Sequence, residues 1–377
     1  MIENTILTIA LLIIFAKIFS YLSIKLKQPS ILGILIIGFL LGPSVFNLFK
    51  VNSIIETFSK IGVIFIMFLA GLETNIDALK KHSIKSIWIA VGGVVFSFLL
   101  GFMVSIVFKK NLVESLFMGV LLTATSVSIT VSTLMEIGKL QTEEGISIIG
   151  AAVIDDIFAI LLLSFIIAMT KHTVSVGFLF VKIVIFFIGI VIMGFIISKF
   201  VLKIVEKSRI PYGTETLAIF TAFIFSFFAE SSNIAAITGA YIAGLFISRY
   251  KNRKKIYQNV EVMAGILFIP FFFLTIGLSL NIRSIDGNLF YYISFISVAF
   301  IGKIVGSTIG GIMSGMNLRS CLRVGVGMLP RAEVMLVTAL VGFVEKVITH
   351  TDYSIAILIV ILTTFITPTL LKFIFRR

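Results

Sequence analysis

Long apolar stretches separated by short polar segments recur from one end of this chain to the other. Many are close to the ~20 residues that a helix needs to cross the ~30 Å hydrocarbon core of a bilayer. Their predicted bounds are 4–24, 30–48, 54–74, 83–108, 112–138, 143–170, 174–204, 214–230, 234–249, 257–280, 288–315, 320–345 and 352–375. The pattern predicts an all-α integral membrane protein of about thirteen transmembrane helices, with residues 1–377 forming a single membrane unit.

Composition supports this interpretation and excludes several others. Hydrophobic residues make up 59% of the chain and charged residues only 13%, which is too little charge for the exterior of a soluble globule. The net charge of +13 is explained by basic loops of a membrane protein, so we expect no nucleic-acid partner. Cys321 is the sole cysteine, and no nucleotide, zinc or serine-hydrolase motif is present. We therefore expect neither an enzyme nor a bound cofactor.

Lys and Arg fall mainly in alternate loops, as around 80–85 and 249–255. Because cytoplasmic loops carry an excess of these residues, the pattern predicts an N-terminus outside and a C-terminus in the cytoplasm. That orientation requires an odd number of spans, which thirteen supplies.

The chain also contains an internal repeat. Gly239 lies 206 positions after Gly33, and Gly277 lies 206 positions after Gly71. This single offset aligns glycines in three pairs of predicted helices: Gly33 with Gly239, Gly38 with Gly244, Gly71 with Gly277, and Gly119 with Gly325. After the third pair the match continues over Asn75-Ile76 and Asn281-Ile282. Partners seven helices apart run in opposite directions, which predicts the inverted-topology repeat typical of transporters.

One pair of repeated helices carries residues that interrupt helices. Gly325, Gly327 and Pro330 lie in the middle of the predicted helix 320–345, and hydroxyl residues dominate 123–133 in its partner. These residues let a helix unwind at depth and satisfy the carbonyls that are released. We expect two broken, crossing helices, the alternative being kinked but continuous packing helices. Arg331 and Glu333, just after the second break, are expected to neutralise half-helix ends or, alternatively, to bind ions.

Asp155 and Asp156 lie mid-helix in an apolar sequence, which makes them the strongest functional signal. Ionised carboxylates at this depth are costly and are typical of ion or proton pathways. Consecutive helical residues point ~100° apart, so that one aspartate can take a partner while the other faces a water-filled cavity. Together they supply oxygen ligands for Na⁺ and a titrating group. The alternative is a pair that only caps or packs against another helix.

Two further charged residues enter the prediction. Lys303 lies well inside its helix on a ridge of small residues at 302, 306, 310 and 314, where it needs a carboxylate partner, with Asp155 the natural candidate. Snorkelling to an interface is the alternative. Glu73 ends the third predicted helix and is expected to be an interfacial group, or else part of the ion route.

These residues resemble the monovalent cation:proton antiporter-2 family, in particular its two-aspartate prokaryotic sodium/proton exchangers. The resemblance rests on Asp155-Asp156, the hydroxyl-rich segment 123–128, Lys303 with its ridge, and the segments 329–333 and 68–73, which together span nearly the whole chain.

The resemblance implies a role for each site residue: Asp156 binds Na⁺ and H⁺, Asp155 pairs with Lys303, and Thr125 and Ser126 line the site. It also implies a homodimer in which 1–80 and 214–284 form the dimerisation scaffold, 81–170 and 285–377 the ion-translocating core, and 171–213 a linker helix.

The expected function is therefore electrogenic exchange of Na⁺, with Li⁺ as a further candidate, for H⁺ across the cytoplasmic membrane by alternating access. K⁺/H⁺ exchange on the same scaffold is the main alternative. Related potassium-efflux proteins usually have Gln before the aspartate, where this chain has Asp155. A channel or a sodium-coupled organic-anion symporter is less favoured, since neither explains adjacent aspartates together with a buried lysine.

Overall fold

In the computed structural model, the described residues are 5–376 except 27, 75–76, 78–80, 172–175, 198, 200–201, 209, 233, 280–288 and 345. The helices are α1 (Thr5–Lys25), α2 (Ser30–Leu41), α3 (Ser53–Glu73), α4 (Ser83–Val107), α5 (Leu112–Leu121), α6 (Val127–Glu136), α7 (Glu143–Lys171), α8 (Val176–Ile196), α9 (Leu202–Lys207), α10 (Gly213–Ser231), α11 (Ala236–Ile247), α12 (Arg253–Ser279), α13 (Leu289–Met313), α14 (Leu318–Gly327), α15 (Glu333–Val344) and α16 (His350–Arg376).

The all-α membrane fold is confirmed. Within the described ranges, seven helices are long and apolar enough to cross a bilayer, and shorter apolar helices accompany them. The pairs α5–α6 and α14–α15 each correspond to one predicted helix that is interrupted near its middle. If each pair counts once and the short α9 is set aside, the described part of the chain contains the expected thirteen segments.

The repeat extends to the helix boundaries. The bounds of α2, α4 and α5 become those of α11, α13 and α14 after the same shift of 206 positions. Even the capping is repeated, because Asn111 accepts a hydrogen bond from the Glu114 amide before α5, and Asn317 accepts one from the Ser320 amide before α14. The matching segments Asn75-Ile76 and Asn281-Ile282 lie outside the described residues.

The repeated glycines lie where helices cross at close range. Gly38 of α2 meets Gly277 of α12, and Gly244 of α11 meets Gly71 of α3. Because Gly38 corresponds to Gly244 and Gly71 to Gly277 in the repeat, the two crossings are equivalent. A Cβ at any of these positions would collide with the backbone of the facing helix. The two crossings therefore depend on glycine at both partners.

One helix is shorter than predicted, and two others contain π-helical residues. Helix α2 ends at Leu41 rather than at 48, because Gly42 is extended and Pro43 lacks the amide that continued helix would need. The α-helical part of α8 ends at Ile196, Ile197 and Lys199 are π-helical, and the predicted end at 204 falls within α9. Helix α12 contains a π-helical turn at Ala264–Phe268, just before Pro270. Proline removes one backbone donor, which the wider turn accommodates.

Helices pack into two groups. Helices α1–α3 and α10–α12, here called the scaffold group, pack mainly on one another, as in the pairs α3–α11, α10–α11 and α2–α12. Helices α4–α7 and α13–α16, the core group, are centred on the pair α4–α13, where Gly92 and Gly306 meet. The sequence predicts a division into scaffold and core. Its boundaries, at 80–81, 170–171, 213–214 and 284–285, fall largely at or beside residues outside the described ranges, so that the division stays a prediction.

Ion pairs tie both ends of the core group together. At one end Lys110 contacts Glu114 of α5 at 2.7 Å and Asp352 of α16 at 3.0 Å. Burial lowers the pKa of Lys110, but the two carboxylates that accept its hydrogen bonds raise it by more, so the net shift is upward. At the other end Arg323 of α14 contacts Glu144 of α7 at 3.1 Å. Because its pKa is raised, Lys110 remains charged at neutral pH and links α5 to α16.

The close crossings predict which glycines tolerate a methyl group. Gly71→Ala and Gly244→Ala should each destabilise the protein by about 1–3 kcal/mol, because the added carbon forces two backbones apart. Gly189→Ala is the matched control, since a Cβ there meets nothing within 4 Å. Thermal unfolding of the purified protein in detergent measures the effect. Equal midpoints for all three variants would contradict the crossing geometry.

Candidate ion-binding site

The two interrupted helices meet at their breaks. Residues 122–126 separate α5 from α6, and residues 328–332 separate α14 from α15. The Ser126 amide donates to the Pro330 carbonyl at 2.7 Å, and the Thr130 hydroxyl donates to the Gly327 carbonyl at 2.6 Å. Each break therefore supplies hydrogen-bond partners for the other, which an unwound backbone in a bilayer requires.

Arg331 fills the centre of this crossing. Its side chain is completely buried and donates to the Ala124 carbonyl at 2.7 Å through Nη1 and to the Ala299 carbonyl of α13 at 3.1 Å through Nη2. The Thr364 hydroxyl of α16 donates to the Arg331 carbonyl at 2.9 Å. Arg331 thus satisfies a carbonyl released by the break in the other repeat, a contact of the kind expected of a half-helix end. Glu333 begins α15, and its side chain lies outside the described residues.

Asp155 is held inside the core group. Lys303 of α13 donates to its Oδ2 at 2.6 Å and to the Thr123 carbonyl at 2.9 Å. The Thr125 hydroxyl donates to the same Oδ2 at 2.5 Å. Both charged side chains are fully buried. Because a buried charge is stable only beside an opposite charge, Lys303 and Asp155 each stabilise the ionised form of the other.

Asp156 points to a different surface. The Thr238 hydroxyl of α11, in the scaffold group, lies 3.4 Å from its Oδ2 and donates to it. The two aspartates therefore face different groups of helices, in accordance with their ~100° separation around the helix. The sequence left room for a water-filled cavity beside one of them. In this structure Asp156 is only 4% exposed, and the Thr238 hydroxyl of α11 lies 3.4 Å from its carboxylate.

The other predicted residues are placed as follows. Thr125 lies at the site but contacts Asp155 rather than Asp156. Ser126 lies at the break, where its hydroxyl is 3.1 Å from that of Ser128. Glu73 is exposed at the end of α3, where its carbonyl accepts a hydrogen bond from Gln141 at 2.6 Å. Among the contacts of the described residues, none joins Glu73 to the aspartates.

Sequence reasoning missed several groups at the site. Thr363 accepts a hydrogen bond from the Arg331 amide at 3.1 Å, and the hydroxyl pair Thr363-Thr364 in an apolar helix was a usable signal. Thr123 contributes a backbone carbonyl, which side-chain patterns do not reveal. Thr238 had no local signal, because a lone threonine is common in membrane helices.

Broken helices that cross within an inverted repeat, with two buried carboxylates and a buried lysine beside the crossing, define a secondary cation transporter. The sequence model of the transmembrane sodium/hydrogen exchangers matches residues 9–377, and the chain belongs to that family. The resemblance drawn from the motifs is thereby confirmed.

Curated relatives match the chain over almost its full length. The chain is 35% identical to the probable Na⁺/H⁺ antiporter GerT of Bacillus cereus over 97% of both proteins. It is 33% identical to the Na⁺/H⁺-K⁺ antiporter GerN of the same organism, over 97% of this chain and 95% of GerN. It is 31% identical to a Na⁺/H⁺ antiporter of Enterococcus hirae, over 98% and 97% of the two chains.

A solved structure of the sodium proton antiporter MjNhaP1 from Methanocaldococcus jannaschii matches the fold with a TM-score of 0.71. The match covers 97% of this chain and 95% of that one, at 17% identity. At this identity the likeness concerns the fold alone, which agrees with the architecture described above.

The buried pair predicts a specific pattern of stabilities. Lys303→Met should destabilise the protein by about 3–5 kcal/mol, because it leaves a buried carboxylate without its cation. The double variant Lys303→Met/Asp155→Asn should recover most of this loss, since no unpaired charge remains. Thermal unfolding in detergent measures both, with Lys60→Met, at a lysine whose side chain is 71% exposed, as the control. Additive losses in the double variant would contradict the pairing.

Proposed function

We propose that this protein exchanges Na⁺ for H⁺ across the cell membrane by alternating access, with Asp156 as the group that binds either ion. The scaffold group stays fixed in this mechanism, while the core group carries Asp156 from one side of the membrane to the other. Membership of the exchanger family and the names of the relatives support exchange of these two ions.

The single observation that carries the assignment is the contrast between the two aspartates. The Asp155 carboxylate is engaged by an ammonium and a hydroxyl inside the core group. The Asp156 carboxylate lies on the surface of the core group that meets α11. A boundary between two groups of helices is where relative movement opens access to one side and then to the other. Asp156 is therefore the carboxylate suited to loading and unloading ions.

Exchange at one carboxylate explains obligatory coupling. Na⁺ requires the ionised carboxylate as an oxygen ligand, whereas H⁺ binds to the same oxygens and neutralises it. The two ions then compete for one site, and movement of either loaded form completes half of the cycle.

Potassium is the second candidate substrate, because the relative GerN is named a Na⁺/H⁺-K⁺ antiporter. Li⁺, which is smaller than Na⁺, is a further candidate on the same oxygen ligands. A channel would conduct without proton counterflow, and a symporter would need an organic solute. Neither uses the arrangement of two carboxylates and a lysine.

The assembly we propose is a homodimer formed through the scaffold group, with the N-terminus outside and the C-terminus in the cytoplasm. The distribution of Lys and Arg supports the orientation. Exposed apolar residues of the scaffold group, among them Phe220 and Phe227 of α10, offer a surface for lipid or for a second copy.

The first test of this function is made in liposomes that carry an imposed pH gradient. Addition of Na⁺ should collapse the gradient, and parallel additions of Li⁺ and K⁺ define the ion preference. Asp156→Asn should abolish the response while leaving thermal unfolding close to that of the wild type, because it removes both the ligand and the titrating group. Glu56→Gln, at an exposed carboxylate, is the control.

The same assay tests competition. As pH falls through the range in which the site takes up protons, the apparent affinity for Na⁺ should weaken, because H⁺ occupies the shared carboxylate. Sodium affinity that is flat across this range, or full activity in Asp156→Asn, would refute a single shared site.

We further expect the exchange to be electrogenic, with two protons returned per Na⁺. Asp155 and Lys303 form a second ionisable pair, and binding of Na⁺ at the neighbouring Asp156 would weaken their bridge and release a proton from one of them. One net charge per cycle corresponds to ~2.3 kcal/mol per 100 mV.

The test uses liposomes with equal pH on both sides, in which valinomycin and K⁺ set the voltage. Sodium flux should follow the imposed voltage. Flux that ignores the voltage would indicate electroneutral exchange and leave Lys303 with a structural role alone. If K⁺ proves to be a substrate, a proton ionophore replaces valinomycin to set the voltage.

A further inference from the structure

Thr238 joins the two groups of helices at the proposed exchange site. It lies in the first turn of α11, which packs on α3 and α10 in the scaffold group. Its hydroxyl donates to Oδ2 of Asp156, whose helix α7 packs on α4 and α5 in the core group. Thr238 is 1% exposed and Asp156 is 4% exposed, so that bulk water competes little for this hydrogen bond.

The strength of such a bond depends on the charge of its acceptor. A hydroxyl that donates to an ionised carboxylate forms a bond about twice as strong as one between neutral groups. Protonation of Asp156 removes that charge. Bound Na⁺ takes the lone pairs that the hydroxyl would otherwise use, and its own charge repels the donated hydrogen. The contact is therefore strongest when Asp156 carries neither ion.

An exchanger must stop its empty site from crossing the membrane. If the unloaded core group returned alone, Na⁺ would move without H⁺ and the gradient would leak. A contact that holds the core group against the scaffold group only while Asp156 is empty and charged prevents this return. Neutralisation by H⁺ or Na⁺ weakens the contact at the step where movement is required.

We propose that Thr238 is a coupling residue, whose hydroxyl holds the unloaded core group against the scaffold group by its hydrogen bond to Asp156. The proposal rests on ion exchange at Asp156 and adds a part of the scaffold group to that site. Thr238 acts through Asp156, as a positioning residue for the empty state.

Reconstituted protein in liposomes provides the test, with Na⁺ and H⁺ fluxes recorded together. In Thr238→Val, which keeps the shape but lacks the hydroxyl, the number of protons moved per Na⁺ should fall. Sodium flux without proton flux should rise about two- to tenfold, the factor that corresponds to loss of one hydrogen bond of ordinary strength, since at 3.4 Å the contact is longer than a typical charge-assisted bond. The KM for Na⁺ should also decrease, because the hydroxyl no longer competes for Asp156. Thr238→Ser should restore both values.

Thr221→Val is the matched control. Thr221 is a buried threonine of α10 whose hydroxyl donates to the Leu217 carbonyl of its own helix at 2.7 Å, away from Asp156. It should leave the flux ratio and the KM unchanged. Thr238→Ala replaces Thr238→Val if the latter does not fold, as judged by thermal unfolding.

The outcomes separate this inference from the proposed function. A wild-type protein without Na⁺-driven proton flux overturns the exchange itself. If the wild type exchanges but the valine and alanine variants keep its flux ratio, Thr238 has no coupling role. An increased KM would instead make the hydroxyl a ligand of Na⁺, and would also overturn the proposal.

Discussion

The ion pair between Lys303 and Asp155 is the interaction on which the core of this transporter depends. Both side chains are fully buried, and moving either charge alone into this environment would be strongly unfavourable. The pair is acceptable because the lysine also reaches the Thr123 carbonyl and the carboxylate also accepts from Thr125. Since Thr123 and Thr125 belong to the break between α5 and α6, the ion pair fixes the unwound segment as well as the two helices.

The crossing of the two breaks follows from the same requirement. Unwinding a helix at the centre of a bilayer leaves amides and carbonyls that need partners where water is scarce. The repeat solves this by placing the second break opposite the first, so that Pro330 accepts from the Ser126 amide and Arg331 donates to the Ala124 carbonyl. The repeats are not equivalent in chemistry, because the shift of 206 places Ile361 and Leu362 where the first repeat has its two aspartates. At these positions the two carboxylates therefore occur in the first repeat alone.

The proposed mechanism divides rigidity and movement between the two groups of helices. The core group is tied at its ends by Lys110 with Glu114 and Asp352, and by Arg323 with Glu144. These cross-links favour movement of the core group as a single body. Between the groups, the Thr238 hydroxyl donates to Asp156 at 3.4 Å, a longer contact than the ion pairs within the core group. Such a division suits alternating access, where a rigid body slides over a fixed surface.

The sequence by itself determined the membrane fold, the repeat and the residues of the breaks. The length of apolar segments, the spacing of glycines and the position of isolated charges are local properties of the chain. The bilayer constrains them strongly, because a spanning helix needs a minimum apolar length and a buried charge is costly, so each is visible in the sequence. Even the partner of Lys303 followed, because a buried lysine has few choices. Only the tertiary structure decided which aspartate faces which group of helices. It also decided that Thr125 donates a hydrogen bond to Asp155 and that Arg331 donates to the carbonyls of Ala124 and Ala299. It also brought Thr238 to Asp156 across 82 positions of sequence. These contacts depend on helix rotation and on backbone carbonyls, neither of which the pattern of side chains along the chain records.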